Sequence, residues 1–410
     1  MRGAAPRIAV RAVDALASSS VAFGVPLLIL RQSGSVTWAG TSFAAAWLPQ
    51  LVAISAAAPW VDRLGARRAM VASASVRTAV VLLVLLDGTR TSTVTLAVLS
   101  ALCGFLAPVS SVAADALTAD AGRQASPRAG RRIAAWQAAV DQGAQLVGPL
   151  LAGLLVTAGT QSLLSGTVVL SLTAAGAATR LPNAPTPATG ALRRPSLRSG
   201  HRVLRADPVL LWLTLGGLTM NCLSALVEVA TPIRVTQTFH RSAAASGVVW
   251  SAGAVAALLS IVAVTKATER YGNWRVAALA ISTSSIAALA TALAPGYLTY
   301  LAAVAAMFAA EQGLIVVLRS VRQRRIPPHS YASATSLSAL LLLSPFPLAG
   351  AAVGAAGRGG ITAVLLICTG VTALGAALTL RGLSQYRAEL ADPMPVRANA
   401  ASPVLLANAS

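Results

Sequence analysis

The chain has 410 residues, of which 56% are hydrophobic and 11% charged, and its mean hydropathy is +0.70. An ordinary soluble domain carries roughly 25% charged residues, so a soluble enzyme, a disordered chain and a secreted disulfide scaffold are excluded at the outset. The net charge of +20 would suit nucleic acid in a soluble protein, but here the charges sit between long apolar runs, so the expected partner is the lipid bilayer and no nucleic acid is expected.

A helix needs about 20 mostly apolar residues to cross the hydrocarbon core. Such runs are predicted near 8–30, 38–60, 69–86, 92–113, 134–157 and 161–180, then near 208–233, 244–265, 275–294, 297–318, 333–355 and 360–380. The expected fold is therefore an all-α membrane protein with twelve transmembrane helices in two pseudo-symmetric six-helix bundles. The first bundle spans 1–180 and the second 208–387. Between them, 181–207 contains Pro182, Pro185, Pro187 and Pro195 among arginines and is expected to be a flexible cytoplasmic linker. The tail 388–410, rich in Ala, Pro, Asn and Ser, is expected to be disordered. The first run is long, carries Asp14 and is followed by further spans, so it reads as a retained helix and not as a cleaved signal.

Orientation follows from the arginines, because cytoplasmic loops retain basic residues. One side carries Arg2, Arg7 and Arg11, the Arg63, Arg67 and Arg68 loop, the cluster from Arg123 to Arg132, the linker, Lys266 to Arg275, Arg319 to Arg325 and the tail. The other side carries only Arg31, Arg90, Arg234, Arg241 and Arg358. Both termini are thus expected in the cytoplasm, in a plasma (inner) membrane, with the basic loops facing anionic headgroups. Cys103, Cys222 and Cys368 lie in apolar runs, and His201, His240 and His329 lie apart, so neither a disulfide set nor a metal is expected. Lys266 is the sole lysine, which with the abundant alanine suggests a GC-rich bacterial genome.

An internal repeat is found in the loop after the second span of each half. The first copy is Asp62-Arg63-Leu64-Gly65-Ala66-Arg67-Arg68; the second, offset by 207, is Glu269-Arg270-Tyr271-Gly272-Asn273-Trp274-Arg275. An acid, an arginine, a glycine and a further arginine coincide, as suits a tight turn in which glycine reverses the chain and the carboxylate binds guanidinium groups or a helix N-terminus.

This arrangement resembles the major facilitator superfamily, whose loop between the second and third helices runs Gly-x-x-x-Asp-Arg-x-Gly-Arg-Arg. The resemblance covers nearly the whole chain and implies that Asp62, Arg63, Gly65 and Arg67, with Glu269, Arg270, Gly272 and Arg275 in the second copy, form gating loops that latch the halves. Asp115, at the end of the fourth span, looks like the acidic partner of such a latch. Ala58 departs from the motif where its first glycine is expected, and the second copy uses Glu in place of Asp. In the fifth span Gly148-Pro149-Leu150-Leu151-Ala152-Gly153 is similar to the family's exporter-associated segment Gly-Pro-x-x-Gly-Gly, and small residues there permit close helix contact. The opening, with Pro26-Leu27-Leu28-Ile29-Leu30, Ser33-Gly34-Ser35 and Leu48-Pro49-Gln50, resembles the bacterial branch of enterobactin-type and macrolide-type efflux carriers.

Acids inside spans are expensive and mark functional candidates. These are Asp14, Asp141, Glu228 and Glu311, with Asn221 and Gln312 beside them. The resemblance places the first, fourth, seventh and tenth helices around a central cavity, which suits Asp14, Glu228 and Glu311. Thr214, Gly217, Asn221, Ser224 and Glu228 form one polar stripe at helical spacing, with Glu228 either facing the cavity or pairing with Arg234 at the rim. Glu311 suits either substrate or proton binding or a gate salt bridge to Arg319. Asp141 shares a face with Gln145, Gly148 and Ala152 and reads as a packing or gating group or a coupling acid. Asp14 reads as a cavity acid or as a surface ion pair with Arg11, and Arg77 as a snorkelling residue. Trp38 and Trp60 read as interface anchors, while Trp47, Trp136, Trp212 and Trp250 suit either a cavity or the core.

No P-loop occurs and no catalytic constellation is visible, so neither ATP hydrolysis nor another enzymatic activity is expected. The expected function is secondary transport: proton-coupled efflux of a small amphipathic antibiotic, dye or siderophore, driven by the proton gradient with no cofactor, by a monomer. Uptake of a metabolite, or a non-transporting receptor or assembly role, are the alternatives.

Overall fold

The computed structural model describes residues 5–88, 91–123, 127–182, 197–326 and 328–391. The first half contains α1 (Ala5–Ser33), α2 (Val36–Leu64), α3 (Ala66–Leu86), α4 (Thr93–Arg123), α5 (Pro127–Ala158) and α6 (Thr160–Thr179). The second contains the short α7 (Leu197–Ala206), α8 (Pro208–Ile233), α9 (Ala243–Leu293), α10 (Tyr297–Arg325), α11 (Pro328–Leu343), α12 (Pro345–Ser384) and the short α13 (Arg387–Ala391).

Two glycines set the crossing count. The 51-residue α9 breaks at Gly272 (φ 77°, ψ 162°), a backbone region that side chains rarely adopt, and so crosses twice. Gly65 (φ 82°, ψ 141°) makes the matching turn between α2 and α3, so the two copies of the repeat share one backbone geometry. In the same way α12 breaks at Gly357 (φ 62°), its first arm continuing α11 and its second arm forming the last crossing. Ten stretches are long and apolar enough to span a membrane; with α9 counted twice and α2 added, the described residues hold twelve crossings. Their order is that predicted, and an even number returns the chain to the side where it began, here called the terminal side. The penultimate crossing is interrupted at Ser344, because Pro345 and Pro347 lack the amide protons that would continue the ladder from α11. Ser344 Oγ instead donates to Leu341 O at 2.8 Å.

Two expectations need correction. In the predicted flexible linker, Leu197–Ala206 is helical, because Gly200 fits against the Ser333 carbonyl and Leu204 is buried; 183–196 lie outside the described residues. In the predicted disordered tail, Arg387–Ala391 forms a turn of helix with Leu390 buried and Glu389 paired to Arg325 at 2.7 Å; 392–410 lie outside the described residues. Arg325 also reaches Asp207 at 3.3 Å, and Asp207 Oδ1 caps α8 by accepting from Val209 N and Leu210 N. Asp207→Ala is expected to lower stability by about 1 kcal/mol, while Asp207→Asn, which keeps the cap, loses less; thermal unfolding of the detergent-purified protein distinguishes them.

The halves meet on the side away from the termini. There α2 crosses the first arm of α12 so closely that a Cβ on Gly40 would lie 2.5 Å from Gly350 O and Gly354 N. In the same layer α5 crosses α9, where a Cβ on Gly247 would lie 2.6 Å from Pro149 O and one on Gly153 3.0 Å from Ala243 O. Between apolar helices in lipid no hydrophobic force drives association, so close backbone approach supplies the dispersion that does. Trp47 stacks on Phe346 with ring centroids 4.1 Å apart, and Ser251 Oγ donates to Leu146 O at 2.6 Å. One buried apolar cluster runs through this junction, joining Leu30, Val36 and Phe43 to Val249, Phe346 and Val353. Gln237 of the second half also donates to Gly34 O at 3.4 Å, and Phe23 meets Trp250 edge-on at the margin of this layer.

Candidate functional site

α8 and α1 are the most enclosed of the ten strongly apolar stretches, with 67% and 61% of their apolar cores buried, against 22–44% for the other eight. Polar groups on α8 therefore face protein, not lipid. The stripe on α8 divides by neighbour. Thr214 is fully buried and Gly217 fits against Leu342, so its terminal-side part is packing. Asn221, Ser224 and Glu228 continue toward the far side, where Ser224 Oγ donates to Glu311 Oε2 at 2.5 Å and joins α8 to the middle of α10. Asn221 is 7% exposed and makes no hydrogen bond among the described residues; nor does Gln312, beside Glu311.

Glu228 is the one charged group in a cavity otherwise walled by Ala22, Phe23 and Pro26 of α1, Phe43 of α2, and Pro232 and Ile233 of α8. It has no hydrogen-bond or ion-pair partner among the described residues. The rim pair with Arg234 does not form, because Arg234 is consumed elsewhere. Its Nη1 donates to the carbonyls of Thr291 and Ala292, each at 3.0 Å, closing the end of α9 as a basic group does at a helix C-terminus. The same guanidinium lies over Tyr300, 5.3 Å from the ring centre. Nor does Glu311 pair with Arg319: eight residues of helix separate them by about 12 Å, and Arg319 is exposed.

The acids of the first half behave differently from expectation. Asp14, 2% exposed, is no surface partner of Arg11 but pairs with Arg77 at 2.5 Å. Arg77 is 1% exposed and does not snorkel; its Nη1 donates to Ser18 Oγ at 2.7 Å and its Nε to Ser171 Oγ at 2.8 Å, stitching α1, α3 and α6 together. Arg11 turns instead to Asp141, with Nε to Oδ1 at 2.7 Å and Nη2 to Oδ2 at 3.1 Å, and also donates to the Ser111 carbonyl at 3.0 Å. Asp115 completes this group, 3.8 Å from Arg11 and accepting from Gln137. Asp141 is therefore gathered with Asp115 by one arginine on the inner face of the first half.

Asp115 is thus engaged by Arg11 and Gln137, and the first gating loop is held by other contacts. Arg67 Nη1 donates to Leu181 O at 3.2 Å, at the end of α6, and makes no contact with Asp115. The side chain of Asp62 lies outside the described residues, while Arg63, Glu269, Arg270 and Arg275 are exposed on the terminal side. The fifth-span segment is a packing device at a junction: a Cβ on Gly148 would lie 2.6 Å from Ser19 Cβ of α1, the Pro149 carbonyl receives Gly247, and Gly153 receives Ala243 and Ala244 of α9. Trp38 and Trp60 are exposed, as interface anchors would be. Trp136 is also exposed, and Trp212 covers Gly382 in the second half.

Sequence reasoning missed an aromatic series. Phe23 meets Trp250 edge-on at 6.2 Å, and Trp250 meets Phe308 at 5.1 Å. Trp250, which suits a cavity or the core, and Phe308, three residues before Glu311, were the local signals; the links that join them to each other and to Phe23 cross between helices.

A family model for the Major Facilitator Superfamily matches residues 8–344. The chain belongs to the major facilitator superfamily. It is thus a multi-pass membrane protein and a secondary transporter, of a family of carriers and not enzymes. Among solved major facilitators, a bacterial homologue of the iron transporter ferroportin in an inward-facing state is 16% identical, with a TM-score of 0.72 over 93% of this chain and 99% of that one. The same kind of homologue in an outward-facing state is 17% identical, with a TM-score of 0.62 over 94% of this chain and 100% of that one. The nucleoside transporter NupG is 12% identical, with a TM-score of 0.73 over 93% of this chain and 99% of that one. No curated protein sequence matches the chain. At such identities these structures share its fold, and their cargoes are their own.

Proposed function

We propose that this major facilitator is a proton-coupled exporter of small amphipathic molecules in the plasma (inner) membrane, working as a monomer whose halves, 1–180 and 208–387, rock about a midplane site. The observation that carries the reading is Glu228, an unpaired carboxylate in an apolar cavity directly beneath the closed far-side junction. A carboxylate so placed changes partners when the junction opens: it takes a proton from one side and gives it up, or exchanges it for substrate, on the other. The arginine-rich terminal side is assigned to the cytoplasm by the distribution of charge, which makes the closed layer the external one and this conformation inward-facing. Glu311, held by Ser224, is the second acid of the pathway, and the Arg11–Asp141–Asp115 group the counterpart in the first half. The exporter direction is supported by the glycine and proline segment of α5 seated against α9 at the junction.

The test uses cells stripped of their own pumps and a panel of dyes and antibiotics. Wild-type protein is expected to lower accumulation, an uncoupler to restore it, and Glu228→Gln to reduce the gradient-dependent component at least tenfold. Full proton-dependent efflux by Glu228→Gln would remove that residue from the mechanism, and gradient-driven accumulation of a solute would reverse the direction.

A further inference from the structure

We infer that the site around Glu228 and Glu311 is built for an organic cation, a positively charged nitrogen or phosphorus centre carried on an apolar body. The inference rests on the carrier reading above and adds the charge and shape of what is carried. Its basis is a closed circuit of side chains. Glu228 and Ser224 are one turn apart on α8; Ser224 is bonded to Glu311 at 2.5 Å; Phe308 is one turn before Glu311 on α10. Phe308 then meets Trp250 at 5.1 Å, Trp250 meets Phe23 at 6.2 Å, and Phe23 returns to the cavity that Glu228 enters. Four helices thus contribute two carboxylates and three aromatic rings to one ring of residues spanning both halves.

Its chemistry is selective. In the described circuit no basic side chain neutralises the acids: Arg234 is spent on the carbonyls of α9, Arg319 is exposed, and Arg11 and Arg77 are paired within the first half. An anionic substrate would meet no basic group in the circuit to neutralise it, whereas a cation can take the place of a proton released by either acid. A small metal ion prefers several oxygen, nitrogen or sulfur donors, and among the described residues no group of three or more such side chains gathers to hold one. Aromatic faces serve a large, weakly hydrated cation, which they attract through the ring quadrupole while covering its apolar body. Two polar groups remain open to a ligand: the amide of Asn221 beside the circuit, buried with no hydrogen-bond partner, and the buried indole N–H of Trp250 within it, likewise unpartnered. Both can bind an acceptor on the carried molecule.

The experiment is binding to the purified, full-length carrier in nanodiscs, using ethidium and tetraphenylphosphonium as cationic probes and an uncharged tetraphenyl analogue as control. Wild type is expected to bind at least one cation more tightly than the neutral analogue by tenfold or more. Glu228→Gln combined with Glu311→Gln is expected to erase that preference while leaving neutral binding within about twofold. Trp250→Leu should weaken cation binding by roughly threefold to tenfold, with Trp250→Phe retaining most of it. Binding of neither cation, equal binding of charged and neutral analogues, or a preference for a divalent metal overturns the inference. Proton-driven flux in proteoliposomes is measured separately. Cation binding without coupled flux would leave the site standing and sink the proposed mechanism, whereas coupled flux of neutral or anionic molecules alone would do the reverse.

Discussion

Arg77→Ala is expected to destabilise the first half by about 3–5 kcal/mol, the typical cost of removing one partner of a buried ion pair. The loss is large because of what stays behind. Asp14 is 2% exposed and loses the counter-charge that Arg77 supplies, while Ser18 and Ser171 lose the donors that hold α1 against α6. Lipid outside the bundle offers no water to replace them. The Asp14→Leu, Arg77→Met double variant removes both charges and fills similar volume, so it is expected to recover most of the loss, since apolar replacement of a whole buried pair is often neutral or better. Thermal unfolding followed by size-exclusion fluorescence checks both. An unchanged midpoint for Arg77→Ala would show that the pair does not hold the helices, and an active, stable Asp14→Leu, Arg77→Met carrier would assign the pair to architecture and exclude Asp14 from coupling.

Gly350→Leu is expected to abolish transport by a different route, holding the far side apart. The first carbon of any side chain at this position would sit 2.7 Å from both Ala44 N and Gly40 O, so a backbone, not a flexible side chain, must retreat. Spin labels on Gln32 and Arg241, both exposed near the far end of opposite halves, should report a longer distance by several ångströms and a conformer no longer sealed there. Transport is expected to fall by more than tenfold, with Gly350→Ala intermediate. A normal label distance together with lost transport would place the defect in folding or insertion instead of at the junction.

The parts of this molecule that were legible in its sequence are those dictated by the surrounding solvent. A hydrocarbon slab imposes a minimum length on every apolar run, so the crossings could be counted, and Gly65 and Gly272 stood out because the same turn is written twice. Which charge meets which was not legible. Arg11 lies three residues from Asp14, yet its partner Asp141 is 130 positions away, and Asp14 finds Arg77 63 positions away. Helix rotation decides these pairings, and weak amphipathicity in spans that are apolar on nearly every face leaves that rotation unwritten. Gly40, Gly350 and Gly354 were equally silent, since among the 32 glycines of the chain nothing local marks those that touch across the halves. The linker and tail were misread for a related reason: Leu204 and Leu390 become helical anchors only when the bundle surface is there to receive them.

The far-side junction has a consequence for the conditions under which the carrier can operate. Its closure depends on fitted backbone, stacked rings and a few short hydrogen bonds, and none of the ion pairs described above lies in it. Dissolved salt weakens contacts between exposed charges within about 10 Å at 0.1 M but has little hold on dispersion between carbon atoms. The seal on the far side is therefore expected to close equally well at low and high ionic strength, which the distance between labels on Gln32 and Arg241 measured across a salt series would check.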